Sequence, residues 1–581
     1  MRNAKIVCTL GPASDSLEGI ESLAEAGMSV ARMNASHGTA EDRRDTIDRV
    51  REVDQRVDEP VAVMHDLPGP EVRTADIDEP IRLEKESRIR FYEGDDATPD
   101  AVGLSLDISS VEPGDRVLLD DGRIETTVEE VDGSDVYARV ENGGKLQARK
   151  GVNVPGVELG LPVITEKDQR EIEVAADKSV DFVAASFVRD GSDIREIESA
   201  LAELGADIPI VAKIERAGAV ENLESIIDAA YGIMVARGDL GVELPLEEVP
   251  MIQKRIIRKC NEAGVPVITA TEMLDSMVES RRPTRAEASD VANAVLDGTD
   301  AVMLSGETAI GDHPARVVST MARIVRQVET TEEYDEVREQ RVPEADESQA
   351  DALAHAARYL AQDIDAKAIV AASESGYTAL KAAKFRPPIP IIASTPNETV
   401  RRQLALSWGI HPTSAPYTTG GADAIIQNSV ESALSSGVVE SGDTVVVVSG
   451  MMTELEGINT SNMLKVHVAA ETISSGQSIV EGLVTGPLYR LTDGDFSKAP
   501  ENAIVAVPED VEDFAGEADS VRGVVDAHQG VKSHAAVMAR ELDLPMISGA
   551  SVPDDVEDGA TVTLDADRGV LYKDVVGREV R

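Results

Sequence analysis

Eight short apolar runs, most of them separated by an amphipathic helical pattern one crossover long, constrain this chain more than any other feature. They are Lys5–Leu10, Ser29–Asn34, Val61–Asp66, Phe182–Val188, Pro209–Glu215, Ile233–Gly238, Val265–Thr271 and Ala301–Gly306. Segments such as Leu17–Ala26 and Asp193–Leu204 carry the intervening helical period. Strands alternating with helices imply parallel βα units, and eight of them imply a (β/α)8 TIM barrel.

At 581 residues the chain exceeds what one core can organise. Between the third and fourth runs the pattern shifts to short alternating segments, such as Asp115–Asp121 and Asp135–Val140. The predicted fold class is α/β, and its catalytic barrel spans 1–71 and 154–340. An inserted β-barrel-like lid domain occupies 72–153. An acidic stretch from Glu329 to Glu347, broken by Pro343, reads as a linker. An α/β domain over 341–470 follows, with strands Ala368–Ala372 and Thr444–Val448. A further α/β domain occupies 471–581.

Acidic residues number 107 against 56 basic ones, a net charge of -51 spread along the sequence. Such a field repels nucleic acid and anionic membrane. It also predicts a high-salt, halophilic setting, because molar salt shortens the Debye length to about 3 Å. No apolar stretch reaches the roughly 18 residues that cross a bilayer, and no signal peptide precedes the first strand, so a cytoplasmic location is expected. Cys8 and Cys260 read as reduced, buried core residues.

In such a barrel, functional residues lie where strands end and βα loops begin. Alternation puts Arg32, Asn34 and Ser36 on one side of their segment, and Lys213 and Glu215 on one side of theirs. Glu215 and Asp239, from adjacent strand ends, offer hard oxygen ligands for Mg²⁺ or Mn²⁺. Lys213 adds a cation where negative charge builds on a phosphoryl group or an enolate, and Arg32 offers a planar fork for phosphate oxygens. Taken singly, each has a structural explanation as a salt-bridge or turn residue. Their joint appearance at one end of one barrel favours a metal-dependent phosphoryl-transfer site.

Ordered segments then carry a family resemblance. Lys5–Ser14, Met33–Gly38, Asp66–Arg73, Lys150–Gly156, Ala185–Arg189, Ala212–Glu215, Arg237–Glu243, Thr269–Leu274 and Met303–Ala309 closely resemble pyruvate kinases, over about residues 1–470. The resemblance implies phosphoryl transfer from phosphoenolpyruvate to ADP, then protonation of the enolate to pyruvate. It implies that Lys213 stabilises the phosphoryl group and enolate, that Glu215 and Asp239 hold Mg²⁺, and that Arg32 contacts the phosphoryl group. It further implies that Thr271 lies near the protonated face and that backbone around Ala236, Arg237 and Gly238 holds the substrate carboxylate. Ser186 and Arg73 would support this shell. Asn34, Ser36, Asp66 and the Leu67 carbonyl would bind K⁺, and Thr9, Asn34, His37 and Lys167 would face the nucleotide.

Glu71 implies potassium dependence, because a lysine there marks potassium-independent members. The family's Asp-Thr-Lys-Gly-Pro is Asp66-Leu-Pro-Gly-Pro here, which leaves a carbonyl ligand at 67 but a less polar loop. Asp120-Asp-Gly122 is similar to a nucleotide-closing lid motif and equally to a plain β-turn. Ser373, Ser375, Gly376 and Thr378 resemble an effector-phosphate loop before a helix start. Tyr377 replaces a frequent arginine, and Ser449–Gly457 lacks basic residues, so a phosphorylated effector other than a bisphosphate sugar, or none, is expected. Gln529–Leu542 resembles the mobile phosphohistidine domain of phosphoenolpyruvate-using enzymes, with His534 in the phosphorylated position and Lys532 in place of the usual threonine. A structural or regulatory appendage is expected there. A dikinase or synthase that uses His534 is the alternative enzyme, and a silent metabolite sensor is the non-enzymatic one. The family suggests a homotetramer.

Overall fold

In the computed structural model, residues 2–416, 422–450, 461–511 and 514–576 are described. Chain compactness divides the molecule into two units. The first is Met1–Asp346 with Ala379–Pro388 and Asn397–Pro412; the second is Glu347–Thr378, Ile389–Pro396 and Thr413–Arg581.

Eight parallel strands close the barrel of the first unit: β1 Lys5–Thr9, β2 Val30–Asn34, β3 Ala62–Asp66, β4 Phe182–Ala185, β5 Ile210–Ile214, β6 Gly232–Ala236, β7 Val267–Ala270 and β8 Ala301–Leu304. Their order is β1-β8-β7-β6-β5-β4-β3-β2. Each expected run supplies one strand.

The period of two sorts the side chains. Val7, Val30, Met64, Val211, Met234 and Ile268 fill the barrel interior. Their neighbours Cys8, Ala31, Val63, Ala212, Val235 and Val267 pack outward into the core under the helices. Continuing the inward series by two residues reaches Thr9, Arg32, Asp66 and Lys213. These polar groups therefore cap an apolar interior at the C-terminal ends of the strands. Register reinforces the placement, since Asn34 pairs with Asp66 and Asp66 with Ala184 across β2, β3 and β4.

The insertion folds as an eight-stranded sheet with a separate two-stranded ribbon. Its own core includes Phe91, Val117, Leu119 and Val136. The acidic stretch read as a linker differs from expectation: Glu332–Gln340 forms a helix with Thr331 as N-cap. Tyr334 anchors it, buried against the barrel core, with its hydroxyl accepting from Trp408 Nε1 at 3.0 Å.

In the second unit, Ala368–Ala372 runs parallel to Ile391–Thr395 and Thr444–Ser449, and Met463–Val468 pairs antiparallel at the margin. An eight-stranded mixed sheet follows, with one α-helix, His534–Glu541, among the described residues. Both cysteines are buried and free.

Candidate active site

Lys213 stands at the centre of the barrel mouth. Its ammonium donates to Ser186 Oγ at 2.7 Å and lies 2.8 Å from Glu215 Oε1 and 3.4 Å from Asp66 Oδ1. Burial alone disfavours its charge, yet Asp66 and Glu215 outweigh that and hold its pKa well above the usual lysine range. Lys213 is a fixed cation.

Asp66 is the pivot. It is 1% exposed and takes Arg32 Nε at 2.6 Å on one oxygen while facing Lys213 with the other. Burial raises its pKa, but Arg32 and Lys213 win and keep it low. Arg32 also donates from Nη1 to Thr9 Oγ1 at 2.8 Å, and Thr9 donates onward to the Leu304 carbonyl at 3.0 Å. Thr9 thus orients Arg32. Sequence reasoning assigned Asp66 only an ion-binding role and missed this one.

Ser186 donates to the Leu67 carbonyl at 2.8 Å. The next residue, Phe187, has φ 57° and donates its N–H to Glu215 Oε2 at 2.6 Å. A left-handed aromatic residue is strained, and here the strain aims an amide at a carboxylate. Gly69 braces the loop from below, where a Cβ would lie 2.8 Å from both Ser186 Cβ and the Phe187 ring.

Asp239 differs in setting from its expected strand end. It lies in the first turn of a helix, Arg237–Glu243, that starts directly after β6. Burial and then Glu215 push its pKa up to about 7. The Arg237 guanidinium turns away and is consumed by Asp290 at 2.6 and 2.8 Å and by the Ala270 and Thr271 carbonyls. Only its backbone faces the mouth. Thr271, at φ 67°, donates to the Ala270 carbonyl and accepts the Gly238 N–H at 2.8 Å. The Gly238 amide is therefore already engaged.

Beside this cluster a cavity of 680 Å³ opens, lined by Thr9, Arg32, Asn34, His37, Arg43 and Ser305 among others. That volume suits a nucleotide. His37 is exposed at its edge. Lys167 Nζ donates to the Ser36 carbonyl at 3.3 Å, just outside it. Asn34 Oδ1 accepts the Ser36 N–H at 3.0 Å. Arg43, also unforeseen, donates to the His37 carbonyl at 2.6 Å and is clamped by buried Glu171, which also meets His65 at 3.0 Å. Arg73 does not join the central cluster. It pairs with Glu71 at 2.6 Å and donates to the Arg149 carbonyl at 2.9 Å. Asp120, Asp121 and Gly122 form a left-handed turn with φ 53°, 55° and 78°.

In the second unit, Ser373 Oγ accepts the Thr378 N–H at 3.4 Å, and Gly376 has φ 80°. Residues 451–457 of the later loop lie outside the described residues. His534 is the first residue of its helix and exposed, its ring 5.4 Å from Phe514, edge to face.

A closed (β/α)8 barrel whose mouth gathers a permanent cation, a phosphate-type fork and paired carboxylates beside a nucleotide-sized cavity defines a phosphotransferase. The chain belongs to the pyruvate kinase family. Residues 1–318 match the pyruvate kinase barrel domain, 351–467 the pyruvate kinase alpha/beta domain, and 499–569 the mobile domain of PEP-utilising enzymes. Pyruvate kinases of Staphylococcus aureus strains MRSA252 and USA300 are each 41% identical over 582 aligned positions, covering 99% of this chain and 99% of theirs. The crystal structure of a pyruvate kinase from Cryptosporidium parvum superposes with a TM-score of 0.75 at 36% identity, covering 81% of this chain and 96% of that one.

Proposed function

We infer that this chain transfers the phosphoryl group of phosphoenolpyruvate to ADP, yielding ATP and pyruvate in glycolysis. The observation that carries the reading is the Lys213–Asp66–Arg32 network at the strand ends of a barrel from this family. Lys213 faces the charge that moves from phosphoryl to enolate, and Arg32, held by Thr9 and Asp66, aligns the phosphoryl oxygens. Ser186 fixes the Lys213 ammonium. The Thr271 hydroxyl, near the face that is protonated in this reading, accepts the Gly238 amide, which would exchange that bond for the substrate carboxylate on binding.

The donors fit a divalent cation. Glu215 and Asp239 are hard carboxylates, and burial, then Glu215, raises the Asp239 pKa, a setting that a bound cation would relieve. Mg²⁺ or Mn²⁺ there would neutralise phosphate charge when bound. Mg²⁺ often leaves further coordination positions to water and substrate, so two carboxylates would suffice to hold it. Asn34, Ser36, Asp66 and the Leu67 carbonyl are an all-oxygen set suited to K⁺, and Glu71 supplies no tethered cation. Equal turnover in sodium and potassium salts would contradict that assignment.

The cavity lined by Thr9, Asn34 and His37, with Lys167 alongside, is the ADP site in this reading. The four-part division at 71/72, 153/154, 340/341 and 470/471 is part of this reading; the separate matches to 1–318, 351–467 and 499–569 are compatible with its last two boundaries. Ser373, Ser375, Gly376 and Thr378 are proposed as an effector-phosphate loop, and His534 as a residue outside the reaction. A homotetramer is expected from the family. A net charge of -51 supports a saline cytoplasm, and no helix among the described residues is long and apolar enough to cross a membrane. Stability in dilute buffer equal to that in molar KCl would count against the saline setting. A coupled assay of pyruvate from phosphoenolpyruvate and ADP, with Mg²⁺ and KCl, tests the activity directly.

A further inference from the structure

A second cavity, of 230 Å³, lies behind the Ser186–Arg189 loop, on the side away from Lys213. One wall is the chain segment Gly156–Val163, which leads from the inserted domain back to the barrel. Val157, Leu159 and Leu161 pack on the inserted domain's core, whereas Val163 packs on the barrel's. Gly156 and Gly160 take φ 79° and 65° with open space where a Cβ would be, so the segment is a joint made of left-handed turns.

The opposite wall carries Arg216. Its guanidinium lies 4.9 Å over the Phe187 ring, and its Nε is buried without a hydrogen-bond partner. Among the described residues its side chain forms neither a hydrogen bond nor an ion pair. The buried Nε is thus an unmet donor on a residue that lines an empty space. The neighbouring cation, Arg189, is spent on Asp193 at 2.9 and 3.0 Å. Glu243, which also lines the cavity, attracts Arg216 but forms no ion pair with it, and it is hydrogen-bonded by Asn153 and by the Gly156 amide.

We propose that this cavity binds a small monocarboxylate with an apolar body. The carboxylate pairs with Arg216, and the body packs on Phe187 and Leu159–Leu161. The volume falls below the roughly 300–1,000 Å³ of drug-sized sites, so the ligand is small. The acidic side chains of Glu243 and Glu221 on the rim penalise a multiply charged anion such as phosphate, whereas a single carboxylate matches one guanidinium. Because the Phe187 N–H holds Glu215, a molecule pressing on that ring bears on the catalytic carboxylate through one residue. The inference goes beyond the phosphoryl-transfer reading and does not depend on it.

Isothermal titration of the full-length protein with benzoate, at constant ionic strength, tests it. Saturable one-site binding is expected, weakened about tenfold or more in Arg216→Met. It should be abolished in Leu159→Trp, which fills the space and keeps the test alive where Arg216→Met fails to fold. Saturating phosphoenolpyruvate should leave it in place. No saturable binding, undiminished binding in Arg216→Met or in Leu159→Trp, displacement by phosphoenolpyruvate, or binding of inorganic phosphate instead of benzoate would each overturn the proposal.

Discussion

The barrel mouth and the terminal domain both present residues that a sequence reader would call reactive, but in opposite settings. At the mouth, Arg32, Asp66, Lys213 and Glu215 arrive from β2, β3 and the end of β5, are nearly buried, and satisfy one another within 2.6 to 3.4 Å. In the terminal domain, His534 is exposed at a helix start and meets only the edge of Phe514 among the described residues. The connected acid there is its neighbour: Asp526, fully buried, accepts from His528 Nδ1 at 2.8 Å and from Ser533 Oγ at 2.7 Å. Ser533 in turn caps the helix. Preorganised charge marks chemistry at the mouth, whereas the terminal network holds a turn and a helix end.

The largest effect should come from Lys213→Met, with kcat/KM for phosphoenolpyruvate falling about 10³-fold or more in steady-state assays. Asp66→Ala leaves buried Arg32 without its carboxylate, while Lys213 keeps Glu215, so denaturant unfolding of the first unit should lose about 3–5 kcal/mol. The matching change Asp526→Ala removes three hydrogen bonds to a buried carboxylate in the second unit and should cost about 1–3 kcal/mol there, with turnover retained. A turnover collapse in Asp526→Ala would erase the contrast.

A smaller effect concerns pH. Asp239 in the metal-free protein has its pKa raised to about 7, above the usual carboxylate value, so a proton competes with any bound cation below that pH. Apparent Mg²⁺ affinity, measured by titration, should therefore fall up to about tenfold per pH unit below about 7 and level off above it. Indifference to pH from 5 to 8 would contradict this. The smallest effect should be that of His534→Ala, which should leave turnover within about twofold of wild type.

The barrel and part of its centre were legible because period-two alternation groups Arg32 with Asn34 and Lys213 with Glu215 on one side of each strand, whereas Asp66 entered only through the family resemblance, as an ion ligand, and its pairing with Arg32 and Lys213 was not legible. Features set by distant partners were not. The helix Glu332–Gln340 is acidic and reads as solvent-exposed linker, yet Tyr334 is buried in the barrel core and hydrogen-bonded to Trp408, a partner far off in sequence. The Arg43–Glu171 clamp joins residues 128 positions apart, with no periodic signal to announce it. Asp239 reads as a strand-end ligand, and the backbone places it in the first turn of a short helix instead.

The central claim, that the barrel mouth alone performs the transfer, is most directly tested by measuring pyruvate and ATP together from phosphoenolpyruvate and ADP in wild type, Lys213→Met and His534→Ala. The account predicts equal amounts of both products in wild type and His534→Ala, and neither in Lys213→Met. A requirement for phosphate or AMP, or activity that survives Lys213→Met but disappears in His534→Ala, would contradict it.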